Sequence, residues 1–88
     1  MKLASNRELY EYLLSLSSIL KSRGSEELSH LVREASRFAA GMSTEFLGES
    51  RIALRQVVND ADILRQEEQA DLLDVIDQLD IALDRRKG

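Results

Sequence analysis

The sequence predicts an all-α protein, a small antiparallel bundle of four helices. Apolar residues recur every three or four positions in four segments, which is the period of an amphipathic helix. The chain has no proline and only four glycines, so few residues interrupt a long helix. Start and stop signals separate the segments. We therefore expect helices over about residues 5–23, 26–40, 44–58 and 66–86.

The first helix has a marked beginning and end. Ser5 followed by Glu8 is a capping box, in which each side chain satisfies a free backbone N–H. Gly24 stands where a helix usually ends in a left-handed residue. The apolar stripe between these signals consists of Leu9, Tyr12, Leu13, Leu16 and Leu20. This spacing predicts a helix with one buried face.

The second helix restarts directly after that glycine. Ser25 is the expected N-cap, and Glu26 and Glu27 lie in the first turn, where negative charge is favourable. Gly41 followed by Met42 predicts a helix stop whose apolar follow-on residue packs back on the last turn. The expected buried stripe is Leu28, Leu31, Val32, Ala35 and Ala39.

The third and fourth helices have the least defined boundary. Ser43 or Thr44 is the expected cap of the third helix, and its stripe is Phe46, Leu47, Leu54, Val57 and Val58. Asn59, Asp60 and Asp62 favour turns and caps over helix interiors, so we expect a break between residues 59 and 66. The alternative is a single helix that runs through both segments. The fourth stripe is Leu72, Val75, Ile76, Leu79, Ala82 and Leu83.

Length and composition narrow the class of protein. Eighty-eight residues predict a single helical-bundle domain over residues 1–88. The chain has no cysteine, no stretch resembling a signal peptide and no run near the ~20 apolar residues that a membrane span needs. We expect a cytoplasmic protein without a membrane partner. The net charge of −4 argues against non-specific binding to nucleic acid.

The aspartates are the most informative feature for function. All seven lie between residues 60 and 84, and residues 56–88 carry a charge of −5 against +1 for residues 1–55. Five of them recur every three or four residues along the last helix, which stacks them on one side. Two large apolar residues lie within this stripe. The predicted partner-binding surface is therefore Leu73, Asp74, Asp77, Asp80, Ile81 and Asp84.

Other residues offer different explanations of this stripe. Arg33 and Arg37, and likewise Arg51 and Arg55, are pairs four residues apart. Either pair could face the aspartates across a groove of the bundle or across a dimer interface. A solvated acidic face is a further alternative. Apolar residues off the core stripes are Tyr10, Leu14, Ile52, Leu73 and Ile81.

Known catalytic and metal-binding patterns do not fit the chain. Glu27 and His30 have the spacing of a di-iron motif, but His30 is the only histidine. Asp60 and Asp62 begin like a calcium loop that the following residues do not complete. No glycine-rich phosphate loop and no nucleophile with a base is present. We expect no enzyme activity, no cofactor and no metal site.

The sequence favours a non-enzymatic protein-binding module, an adaptor, regulator or inhibitor, with a partner that is basic. One alternative is a structural homodimer that uses the same patch for itself. Another is an immunity- or antitoxin-type inhibitor of a basic toxin. A minor alternative is a helix-turn-helix-like nucleic-acid binder, for which the third helix offers Arg51, Arg55, Gln56 and Asn59.

Overall fold

The computed structural model describes residues 2–87, with side chains for residues 2–85. Within this range the chain forms four α-helices: α1 (Asn6–Ser22), α2 (Glu26–Ser36), α3 (Ser43–Asp60) and α4 (Gln66–Lys87). A 3₁₀ turn over Arg37–Ala40 follows α2 directly, so the predicted helix over 26–40 is present in two parts. The all-α prediction is confirmed. Met1 and Gly88, the ends of the predicted domain, lie outside the described residues.

The predicted break between the last two helices is confirmed. Residues 61–65 are not helical. Ala61 has an extended backbone (φ −89°, ψ 123°) and donates the last hydrogen bond of α3 to the carbonyl of Val57. The chain therefore turns between α3 and α4 instead of continuing as one helix.

Contacts between the helices show in which direction each helix runs relative to the others. Ser17 on α1 and Ser29 on α2 exchange side-chain to backbone hydrogen bonds of 3.0 and 2.7 Å. Near the start of α1, the backbone N–H of Leu3 donates to Oε1 of Gln78 in the second half of α4, at 2.8 Å. Since Arg23 at the other end of α1 pairs with Glu68 in the first turn of α4, these two helices run in opposite directions.

α1 and α3 begin at the same end of the molecule. Asn6 Nδ2 donates to Ser43 Oγ at 2.9 Å, joining the first residues of these two helices. Arg51 on α3 and Asp80 on α4 are ion-paired, which places the middle of α3 beside the second half of α4. The four helices thus alternate in direction around a shared core, as in an up-down-up-down bundle.

The core contains the stripes that the sequence predicts except for Val58, and Met42 does not pack back on the preceding helix as predicted. Phe46 is its largest fully buried side chain. Val58 is 42% exposed and Met42 is 73% exposed. Val57 and Val58 are 100° apart on the helix, so only Val57 points inward. Gly41 has φ −103°, not a left-handed conformation, so the chain does not return Met42 to the last turn.

The ends of α1 follow the predicted signals closely. Ser5 Oγ accepts a hydrogen bond from the N–H of Glu8 at 3.3 Å. The Glu8 carboxylate accepts from Ala4 rather than from Ser5. At the other end, Ser25 N–H bonds to the Leu20 carbonyl at 2.9 Å, and Gly24 has φ +91°. This is a Schellman ending with glycine at the left-handed position.

Arg23, at the end of α1, binds the connection between α3 and α4. The Arg23 guanidinium donates to both carboxylate oxygens of Glu68 and to the carbonyl of Ile63, the last at 3.1 Å. Glu68 also accepts the backbone N–H of Arg65 at 2.8 Å and so caps α4. None of the helices in the described part of the chain is both long and apolar enough to cross a bilayer.

Candidate protein-binding face

The outer side of α4 carries the predicted surface, here called the acidic face: Leu73, Asp74, Asp77, Asp80, Ile81 and Asp84. Its apolar members are well exposed, Leu73 at 56% and Ile81 at 48%. Asp77 and Asp84 are exposed, whereas Asp74 and Asp80 are half-buried. Leu73, Asp77 and Ile81 are spaced four residues apart and therefore form one line along the helix.

Asp80 is engaged within the molecule. Its Oδ1 accepts from Arg51 Nη1 at 3.0 Å and from Arg55 Nη2 at 2.9 Å, across the groove between α3 and α4. One of the two arginine pairs therefore does face the aspartates. In the other pair, Arg37 instead lies 3.7 Å from the Glu34 carboxylate, next to α2. Asp80 thus serves the packing of α3 against α4.

The carboxylates of Asp77 and Asp84 are unpaired within the part of the chain that the structure describes. Neither makes a hydrogen bond or ion pair with any residue that the structure describes. They flank the ion-paired Asp80, one turn before it and one turn after it along α4. Because no side chain of the described fold satisfies them, both charges are available to a cationic group on another molecule.

A small crevice opens where α3 meets α4. Its volume is about 100 Å³. We call it the corner crevice, and it is lined by Val57, Val58, Ala61, Leu64, Gln69, Leu72 and Leu73. The exposed side chains of Val58 and Leu73 belong to different helices, yet both line this space. The acidic face therefore continues onto α3.

Val58 is the residue of this surface that sequence reasoning missed. The sequence placed it in the core stripe because it lies four residues after Leu54. Its neighbour Val57 already occupies the inward position and is completely buried. The 100° step between consecutive helical residues is the signal that could have placed Val58 at the edge.

The remaining off-stripe residues do not share one patch with the acidic face. Tyr10 lines a separate cleft between α1 and the 3₁₀ turn, together with Arg7 and Arg37. Leu14 is half-buried. Ile52 is 64% exposed on α3 and lines neither this cleft nor the corner crevice.

Three of the four donors that the nucleic-acid alternative would use are held by acids of the same chain. Arg51 and Arg55 bind Asp80. The Gln56 amide donates to Asp60 one turn further along α3. Base readout requires such guanidinium and amide groups to reach the bases. The nucleic-acid alternative therefore gains no support from this arrangement.

The strongly shifted pKa values belong to the packing of α1 on α4. Bonding to Arg23, and then to the backbone N–H of Arg65, lowers the pKa of Glu68 to about 2. Burial, with a smaller contribution from Asp71 and Glu68, raises the pKa of Tyr12. These groups lie on the α1 side of α4. Their shifts reflect structural contacts and do not identify a second functional site.

His30 lies on the surface of α2, with Nε2 3.4 Å from the Glu34 carboxylate. Among the residues that the structure describes, no three His, Cys, Asp or Glu side chains are grouped so that they could hold a metal ion.

Comparisons with models of protein families, with curated proteins and with solved structures find no match to this chain.

Proposed function

We propose that this protein is a non-enzymatic binding module that engages a basic partner protein through the acidic face of α4. The observation that carries the proposal is the combination of two carboxylates that no described residue binds, Asp77 and Asp84, with two exposed apolar side chains, Leu73 and Ile81. Scattered exposed apolar residues are common on proteins. Apolar residues interleaved with unsatisfied charge of one sign are typical of interaction surfaces.

The two kinds of residue have different tasks in this proposal. Asp77 and Asp84 attract and orient a partner that carries Lys or Arg, which raises the rate of encounter. Leu73 and Ile81 lose contact with water in the complex and supply most of the affinity. Asp80 stays bound to Arg51 and Arg55, so it contributes to the shape of the face.

Charge also supports a different protein as the partner over a second copy. A symmetric dimer through this face would bring Asp77 and Asp84 of both copies close together, and like charges repel. Arg51 and Arg55, the nearest cations on α3, already neutralise Asp80. An inhibitor that covers the basic surface of a toxin is one specific form of this function, and a regulator or adaptor is another. The proposal places the module in the cytoplasm, as the cysteine-free sequence favours.

Affinity capture with matched variants tests this function. Tagged wild-type protein is compared with the double variant Asp77→Lys, Ile81→Lys and with the control Ile52→Lys. All three changes are at exposed positions, so circular dichroism should show an unchanged fold. We expect a basic protein, identified by mass spectrometry, that wild type and control retain and the double variant loses. Its binding should weaken as salt rises.

Equal capture by all three proteins would exclude the acidic face as the binding surface. Light scattering on the purified protein distinguishes the proposed function from the homodimer alternative. We expect a monomer across micromolar concentrations. A dimer that Ile81→Lys dissociates and Ile52→Lys leaves intact would establish self-association through α4 instead.

A further inference from the structure

We infer that the partner anchors itself by inserting one aliphatic side chain, Leu, Ile, Val or Met, into the corner crevice, beside lysines or arginines that meet Asp77. This inference rests on the proposed function, because it specifies the chemistry of the partner for the same face. It adds a residue on α3, Val58, and a pocket that the acidic stripe alone does not contain.

Six of the seven residues that line the corner crevice are apolar, and the seventh is Gln69. Val57, Leu64 and Leu72 are buried in the core and form the floor. Val58 and Leu73 form the two rims, at 42% and 56% exposure. An entering side chain would therefore contact apolar atoms below it and on both sides, which is how an interface anchor gains affinity.

Local structure keeps the crevice open. The chain leaves α3 in an extended conformation at Ala61, whose small side chain lines the crevice without filling it. The backbone at Leu64 is held in place because its carbonyl accepts a hydrogen bond from Gln69 Nε2 at 3.2 Å, and Gln69 also lines the crevice. The same connection is tied to α1 through Ile63 and Arg23. The pocket thus exists before a partner binds, which reduces the ordering cost of association.

The size of the crevice selects the type of anchor. An apolar cavity of roughly 150 Å³ holds a benzene ring, and one water occupies roughly 30 Å³. At about 100 Å³, the corner crevice is smaller than that cavity, so an aliphatic side chain matches it better than the ring of Phe or Tyr. A well-matched aliphatic anchor is therefore favoured over an aromatic one.

Charge around the crevice selects the residues that accompany the anchor. Asp77 lies one helical turn after Leu73 and has no partner among the described residues. Asp62, in the connection beside Ala61, is also exposed. Arg65 is the basic residue of this connection. Its charge acts on Glu68, whose pKa it helps to lower. A partner with basic residues one turn from its aliphatic anchor would complement this arrangement.

Synthetic helical peptides provide the probe. Three alanine-rich peptides of about 15 residues or more, long enough to form a helix, carry lysines on one face and a single central guest residue. The guest is Leu, Phe or Ala, and the peptides are otherwise identical. Titration calorimetry or fluorescence anisotropy gives the Kd of each. We expect the Leu peptide to bind wild type about tenfold more tightly than the Ala peptide, since it alone fills the crevice.

Val58→Ala tests the size argument directly. Shortening this rim enlarges the crevice, so the Phe peptide should gain affinity relative to the Leu peptide. Ile52→Ala is the matched control, because Ile52 is exposed on the same helix but does not line the crevice. The control should leave the order of the three peptides unchanged. Thermal melts verify that both variants are folded.

The outcomes separate this inference from the proposed function. Equal binding of the three peptides, abolished by Asp77→Lys but unaffected by Val58→Ala, would overturn the crevice as the anchor site while supporting a basic partner for the acidic face. Binding of the Phe peptide in preference to the Leu peptide would overturn the aliphatic anchor. No binding of any peptide at millimolar concentration would count against the inference and the proposed function together.

Discussion

Arg23 and Glu68 join three parts of the molecule through one ion pair. Arg23 is the C-cap of α1, and Glu68 lies in the first turn of α4. The same guanidinium binds the carbonyl of Ile63, and the same carboxylate caps α4 at Arg65. Both side chains are about three-quarters covered, at 26% and 23% exposure. This pair therefore fixes the connection that forms one wall of the corner crevice.

The first prediction concerns acid stability. Arg23 holds the pKa of Glu68 at about 2, below its ordinary value of 4.5. The charged form is thus favoured in the folded state, so this contribution to stability is fully present above pH 4.5 and is lost as the pH falls towards 2. We expect the stability difference between wild type and Glu68→Gln, measured by urea unfolding, to shrink over that range.

Arg23→Met supplies the control for that measurement. Without the guanidinium, Glu68 should titrate nearer its ordinary pKa, so Glu68→Gln in this background should change the pH dependence much less. A pH-independent difference between wild type and Glu68→Gln would contradict the assignment of the low pKa to this pair.

Buried serines give the second prediction. Ser50 Oγ is completely buried and has no hydrogen-bond partner in the described structure, whereas Ser17 Oγ bonds to the Ser29 carbonyl at 3.0 Å. Ser50→Ala should raise the free energy of unfolding by about 1 kcal/mol, because it removes an unsatisfied hydroxyl. Ser17→Ala should lower it by about 1 kcal/mol. Chemical denaturation compares the two, and a loss of stability in Ser50→Ala would indicate a bound water at this position.

Much of the fold was predictable because its signals are local. The capping residue Ser5 and the positive φ of Gly24 act within one turn, and both stand where the sequence places them. The break after Asp60 follows from residues that disfavour helix interiors. The 3₁₀ turn over Arg37–Ala40 was not predicted. Its tighter winding is compatible with the same residues as an α-helix and depends on tertiary packing.

The candidate site was predictable only on α4. The spacing of Leu73, Asp77 and Ile81 is a property of one helix, and the structure leaves all three exposed. The role of Asp80 as the partner of Arg51 depends on how α3 lies against α4. That Val58 and Leu73 line the same crevice depends on the same packing. Sequence periodicity contains no information about which residues of two helices become neighbours.

Two glycines give a third prediction with opposite signs. Gly24 has φ +91°, so Gly24→Ala should reduce stability by about 1–2 kcal/mol even though a Cβ would meet no atom within 4 Å. Gly48 lies inside α3, where a Cβ is equally unobstructed. Gly48→Ala should therefore raise stability by about 0.5–1 kcal/mol. Thermal unfolding of both variants checks the signs, and a stabilising Gly24→Ala would show that α1 can end without a left-handed residue.

The last prediction separates structure from recognition among neighbouring aspartates. Asp80→Asn weakens two ion pairs that are only partly buried, so stability should fall by at most about 1 kcal/mol. Asp77→Asn removes a free charge, so stability should be unaffected. Binding of the Leu peptide should weaken by about twofold to fivefold, the range expected for one exposed ion pair. Urea unfolding and peptide titration on both variants measure the two effects. If Asp80→Asn weakened binding as much as Asp77→Asn without loss of stability, Asp80 would belong to the recognition surface after all.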